Sequence, residues 1–167
     1  MPVAITLFRL FLVIPTLYLL EGGRENLAGF LILLAGISDW LDGGLARRNN
    51  QVSHIGIMLD PFVDKVFVLS VLSFFLYKQE ITLLPFVLLL LRELSVSFLR
   101  SLSVEKGYAM PASYLGKAKA FFEFLTILAL TFNYGMANLF LWLSVLLAYA
   151  SMYDYVLKYL TFSKINS

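Results

Sequence analysis

The stretch "SDWLDGGLARRNNQVSHIGIMLDPFVDKV", from Ser38 to Val66, decides how this chain folds. Its centre, "RRNNQVS", is polar, and apolar sequence extends away from it on both sides. That pattern reads as a hairpin of two helices, Leu27 to Ala46 and His54 to Tyr77, joined by a short loop. Asp39 and Asp42 are spaced i, i+3 near the end of the first helix. Asp60 and Asp64 are spaced i, i+4 near the start of the second. Each pair therefore shares one helical face. Both pairs stand a similar number of residues from the loop, so at about 1.5 Å rise per residue they lie at similar depth. Four carboxylates converge one to two turns below one end of the hairpin.

Further out, the composition says what surrounds them. The 167-residue chain is 60% hydrophobic and 14% charged, with a mean hydropathy of +0.82. Soluble domains are about 45–50% apolar and about 25% charged. This chain belongs instead in a bilayer, as one domain over residues 1–167. Polar punctuation marks four more spans: Val3 to Leu20, Ile81 to Val104, Tyr114 to Phe132 and Leu139 to Leu160. Arg9 inside the first run, with no small-residue cleavage site after it, reads as a permanent span and not a signal peptide. Backbone polar groups in hydrocarbon must pair internally, so each span is expected to be helical. The fold class is all-α and integral to the membrane, with six transmembrane helices. Arg47, Arg48, Lys106, Lys117, Lys119, Lys158 and Lys164 collect on the side of the termini, which the positive-inside rule makes cytoplasmic. A bacterial plasma membrane with the Asp site facing the cytoplasm is the expected location. The net charge of +2, without a block of like charge, gives no sign of a nucleic-acid partner. With no Cys, thiolate metal sites and Cys nucleophiles are excluded.

An Asp at the middle of a membrane helix costs about 2.5–3.5 kcal/mol on insertion scales. Four together repel one another unless something neutralises them. A divalent, oxygen-seeking cation does so, and Mg²⁺ or Mn²⁺ fits an all-carboxylate set. Asp39, Asp42, Asp60 and Asp64 are thus the candidate metal ligands. The plainer alternative is an ion-pair network with Arg47, Arg48 and Lys65. Gly43, Gly44 and Gly56 stand beside these Asp residues. Small residues at such positions serve close helix packing, or leave room for a bulky ligand. A metal-bridged diphosphate is the natural candidate.

At this point the chain resembles a known family. Asp39, Asp42, Gly43, Ala46, Arg47, Gly56, Asp60 and Asp64 reproduce, with every spacing kept, the signature D-x2-D-G-x2-A-R-x8-G-x3-D-x3-D of the CDP-alcohol phosphotransferases. That family also has six membrane helices. The resemblance implies that Asp39, Asp42 and Asp60 hold metal and that Asp64 is the general base, with a possible metal contact. It also implies that Gly43, Ala46 and Gly56 face the cytidine diphosphate and that Arg47 lies near its phosphates. "LRELSVSFLR" and "LGKAKA" resemble segments of the phosphatidylglycerophosphate-forming branch. Near its N-terminus that branch carries Pro-Asn, then Thr and Arg. Here Pro2, Thr6 and Arg9 are kept, with Thr6 on the CDP side, and Val3 stands in place of the Asn.

The remaining charged residues bear on the acceptor. Arg92 lies mid-span, Arg100 about two turns nearer the cytoplasm, and Lys117 and Lys119 open the next span. Deep Arg residues are functional candidates, so these four are expected to hold an acceptor phosphate. The competing reading pairs them within the bundle, with Glu93 near Arg100 and with Lys119 and Glu123 at i, i+4. The expected reaction is transfer of phosphatidyl from CDP-diacylglycerol to glycerol 3-phosphate, giving phosphatidylglycerophosphate and CMP. Alternatives are inositol phosphate or phosphatidylglycerol as acceptor (the latter forming cardiolipin), and, from another class, an ion or proton transporter. A homodimer is implied by resemblance alone.

Overall fold

The computed structural model describes the backbone of residues 2–49, 54–108 and 110–165, and the side chains of residues 7–38, 62–63, 65–108 and 110–162. Among the described residues it is all-helical, in the order α1 (Pro2–Glu21), α2 (Glu25–Asn49), α3 (His54–Tyr77), α4 (Leu83–Glu105), α5 (Tyr114–Thr131) and α6 (Ala137–Ile165). The six expected helices are present. The last is longer than its apolar run, continuing past Leu160 because "TFSKI" contains no Gly or Pro to stop it.

The chain divides into two compact units, Met1–Glu80 with Ile127–Gly135, and Ile81–Thr126 with Met136–Ser167. In the first, α1 packs along both α2 and α3. Its interior holds Leu12, Val13, Ala28, Ile32, Ala35, Val63, Phe67, Val71 and Leu72. Gly29 admits the Phe132 ring so closely that a Cβ there would stand 2.3 Å from the ring's Cζ. In the second unit, α4 packs on α6, and Val96, Met110 and Tyr155 form a small core at one end.

Four helices end in one device. After α1, the N–H of Arg24 bonds the Leu19 carbonyl at 2.8 Å and that of Gly23 bonds Leu20 at 3.1 Å. The same pair of bonds follows α3 (Glu80 to Phe75, Gln79 to Leu76), α4 (Tyr108 to Ser103, Gly107 to Val104) and α5 (Tyr134 to Ala129, Asn133 to Leu130). This is the Schellman motif, which needs a left-handed residue. Gly23, Gln79, Gly107 and Asn133 supply it, with φ of 68°, 61°, 79° and 54°. In the first unit these turns meet. Asn133 Nδ2 reaches the Glu25 carboxylate at 3.4–3.5 Å. Partial burial, and then the charge of Glu25, push the Glu80 carboxyl above its ordinary value.

Beside the apolar interior, charged and polar side chains are enclosed while many large apolar ones face out. Arg9, Thr16, Arg92, Glu93, Lys119, Glu123, Thr126, Ser144 and Ser151 are buried, while Phe11, Ile14, Phe30, Phe62, Leu94, Phe98 and Leu146 are exposed. Several buried hydroxyls bond within their own helices: Thr126 and Thr131 donate to Phe122 and Ile127 carbonyls, both at 2.7 Å. By length and composition, Ala137–Phe162 can cross a membrane, and it is the single such helix among the described residues. The other helices carry apolar stretches interrupted by charge, as α4 is by Arg92, Glu93 and Arg100.

Candidate active site

The Asp hairpin belongs to the first unit. Helical backbone runs through Asp39 and Asp42 in α2 and through Asp60 and Asp64 in α3, so the i, i+3 and i, i+4 spacings do place each pair on one face. The side chains of these four, and of Thr6, Gly43, Ala46, Arg47 and Gly56, lie outside the described residues. The ligand set expected from the sequence is therefore addressed by backbone placement alone. By that measure Asp42 stands seven residues before the end of α2, and Asp60 six residues after the start of α3. Both are about 10 Å from the loop along their axes. Arg9 stands seven residues into α1, the helix packed against both, and its side chain is only 2% exposed. By the same residue count it stands about as far from its helix end as the Asp pairs do from theirs, and it is engaged in an interaction. The sequence signal for it was present, a cation inside an apolar run, but it served there mainly to exclude a signal peptide.

The basic residues belong to the second unit. Arg92 and Lys119 come together through a residue that sequence reading did not place between them. Glu93 Oε1 accepts from Arg92 Nη1 at 2.5 Å and from Lys119 Nζ at 2.6 Å. Lys119 also bridges to Glu123 at 2.8 Å, the i, i+4 pair that the sequence offered. Arg92 is further tied to α6, donating from Nε to the Ala148 carbonyl at 2.9 Å and from Nη2 to Ser151 Oγ. Two cations and two carboxylates thus alternate in a chain across α4, α5 and α6, all at most 5% exposed. Its formal charge is zero, which is what a low-dielectric interior demands of buried ions.

Arg100 and Lys117 stand apart from this network. Arg100, half-buried and eight residues after Arg92, lies about 12 Å further along α4. It donates from Nη2 to the Met110 carbonyl at a long 3.4 Å. Lys117 is exposed in the first turn of α5, with Nζ 5.7 Å from the Tyr114 ring centre. Neither has a carboxylate partner among the described residues. The suggested pairing of Glu93 with Arg100 gives way to Arg92 and Lys119, both of which bond Glu93 Oε1.

The family model for CDP-alcohol phosphatidyltransferase matches residues 1–150. The chain belongs to that family. The CDP-diacylglycerol–glycerol-3-phosphate 3-phosphatidyltransferase of Rickettsia bellii is 32% identical over 152 residues, covering 86% of this chain and 84% of that protein. The protein of the same name from Wigglesworthia glossinidia brevipalpis is 32% identical over 167 residues, covering 92% and 91%. A CMP-forming cardiolipin synthase of Streptomyces coelicolor is 38% identical over 103 residues, covering 60% of this chain and 48% of that protein. For this phosphatidyltransferase family member, the first two likenesses run nearly end to end, and the third covers a part.

Proposed function

We propose that this chain is a membrane-embedded, metal-dependent phosphatidyltransferase that moves phosphatidyl from CDP-diacylglycerol to glycerol 3-phosphate. The observation that carries it is the nearly full-length likeness to relatives named for that reaction, in a chain that keeps all four Asp residues. Embedding is supported by polar groups turned inward and large apolar side chains turned outward. Family membership favours transfer chemistry over an ion pathway.

The donor set suits Mg²⁺ or Mn²⁺. Asp39, Asp42 and Asp60 would hold it, with Asp64 at the edge. When bound, such a cation would neutralise the diphosphate and polarise its phosphorus. Gly43, Ala46 and Gly56, without bulky side chains, would leave the nucleotide room, and Arg47 and Thr6 are the residues proposed to meet it. Asp64 accepts the proton of the acceptor hydroxyl as its oxygen bonds the phosphorus bearing the lipid. The bond from that phosphorus to CMP breaks, and CMP leaves. For the acceptor's phosphate, Arg100 and Lys117 are the available cations, whereas Arg92 and Lys119 are held by Glu93. Lipid tails enter from the bilayer and the acceptor from the cytoplasm. The cardiolipin synthase likeness keeps phosphatidylglycerol as the second acceptor to weigh.

The test is protein purified in detergent with Mg²⁺ or Mn²⁺ and CDP-diacylglycerol. Glycerol 3-phosphate, inositol phosphate, serine and phosphatidylglycerol are offered separately, with CMP release and lipid mass as readouts. CMP and phosphatidylglycerophosphate with the first are expected. No CMP with any acceptor, or product with phosphatidylglycerol or inositol phosphate alone, would overturn the assignment. Arg100→Ala should raise KM for the acceptor more than KM for the CDP-lipid.

A further inference from the structure

Tyr155 is buried in α6, at the end of the second unit where the chain turns from α4 into α5. Three observations meet on it. Its hydroxyl accepts the backbone N–H of Ser113 at 3.1 Å. Ser113 is the residue before α5, and its Oγ in turn accepts the N–H of Gly116 at 3.0 Å, capping that helix. A Cβ at Gly116 would stand 3.2 Å from the Tyr155 hydroxyl and 3.1 Å from Ser113 Oγ, so this turn closes directly onto the tyrosine. Lastly, the Tyr155 ring packs with Val96 and Met110, and the Met110 carbonyl is the group that Arg100 reaches.

We infer that Tyr155 is a positioning residue for the acceptor: it sets the Met110–Gly116 segment and so fixes Lys117 relative to Arg100. The inference rests on the reading of Arg100 and Lys117 as the acceptor-phosphate cations. Its physical content is geometric. Arg100 projects from α4 and Lys117 from α5, and the described contacts that hold the intervening segment at Met110 and Ser113 both run to Tyr155. Remove the hydroxyl and the Ser113 N–H loses its buried acceptor. The first turn of α5 is then free to shift, while the Asp hairpin, in the other unit, keeps its own packing.

The experiment compares wild type and Tyr155→Phe as purified proteins, varying glycerol 3-phosphate and CDP-diacylglycerol in turn. Tyr155→Phe is expected to raise KM for glycerol 3-phosphate about five-fold, the worth of one lost buried hydrogen bond. KM for the CDP-lipid and kcat should change by less than about two-fold. Equal changes in both KM values, or none, overturn the positioning role. Gly116→Ala supplies a second route should Tyr155→Phe fold poorly. Its methyl pushes on the same hydroxyl and should produce the same selective rise. The two readings fail separately. No CMP release from wild type with any phosphorylated acceptor overturns the assigned reaction and this inference together. A wild type active on glycerol 3-phosphate with an unchanged Tyr155→Phe profile overturns only the inference. If wild type prefers another phosphorylated acceptor, the KM comparison is read with that acceptor, with the same outcomes.

Discussion

Removing the Asp64 carboxylate should separate binding from turnover. On the proposed reading, Asp39, Asp42 and Asp60 would leave the nucleotide side of the site its charge, whereas the proton of the acceptor would go to Asp64. Asp64→Asn is therefore expected to lower kcat by about 10²–10⁴, the usual worth of a general base. Binding of CDP-diacylglycerol, read by calorimetry, should persist. Activity within ten-fold of wild type would take the base role away from Asp64. Glu93 makes the opposite kind of prediction, about stability. Its Oε1 serves two buried cations at once, so Glu93→Gln leaves Arg92 and Lys119 with one negative partner fewer. Breaking a buried ion pair from one side costs about 3–5 kcal/mol. A large fall in the thermal midpoint in detergent is expected, against almost none for Lys117→Gln at the exposed start of α5. Matching midpoints for the two would mean that the network is not what holds α4, α5 and α6. The sequence showed Lys119 and Glu123 as a pair, because i, i+4 spacing is local. It did not show Glu93 between Arg92 and Lys119, because that bond spans 26 residues and two helices.

The six helices were legible in the sequence to within a few residues, the last overrunning its expected end by five, and the reason is the apolar runs and the polar punctuation between them. Where an apolar run is bounded by polar stretches such as "EGGREN", "KQE" and "EKGYAMPAS", the change in polarity marks the helix end more firmly than weak propensities do. The turns were half legible. Gly23 and Gly107 announce a left-handed helix stop, whereas Gln79 and Asn133 occupy the same conformation with a side chain attached. For Gln79 that conformation costs about 1–2 kcal/mol. Gln79→Gly removes the cost and loses about 0.5–1 kcal/mol to the greater freedom of the unfolded chain. A small rise in thermal midpoint is expected for Gln79→Gly and none for Gln79→Ala, which keeps the Cβ. Equal shifts for the two variants would show that the left-handed backbone is not the source.

For the molecule as a whole, the sequence disclosed its kind and left its interior connections to the structure. Composition pointed to a bilayer, and the exposure agrees in sense: Phe11, Ile14 and Leu94 face out, while Arg9, Arg92 and Glu93 are enclosed. The tie between Ser113 and Tyr155 crosses 42 residues and has no local pattern to betray it. Orientation is the property that the whole chain decides, through the bias of Lys and Arg toward the loops on the side of the termini. The absence of Cys makes it directly measurable. Single substitutions Tyr134→Cys, after α5, and Ala112→Cys, before it, both fall at exposed turn positions. Six spans with cytoplasmic termini put the first outside and the second inside. A membrane-impermeant maleimide applied to intact cells should label Tyr134→Cys and spare Ala112→Cys until the cells are opened. Labelling of Ala112→Cys in intact cells would overturn the expected cytoplasmic side for the turn before α5. Labelling of both would break the count of six, because an odd number of crossings between the two positions is what separates them.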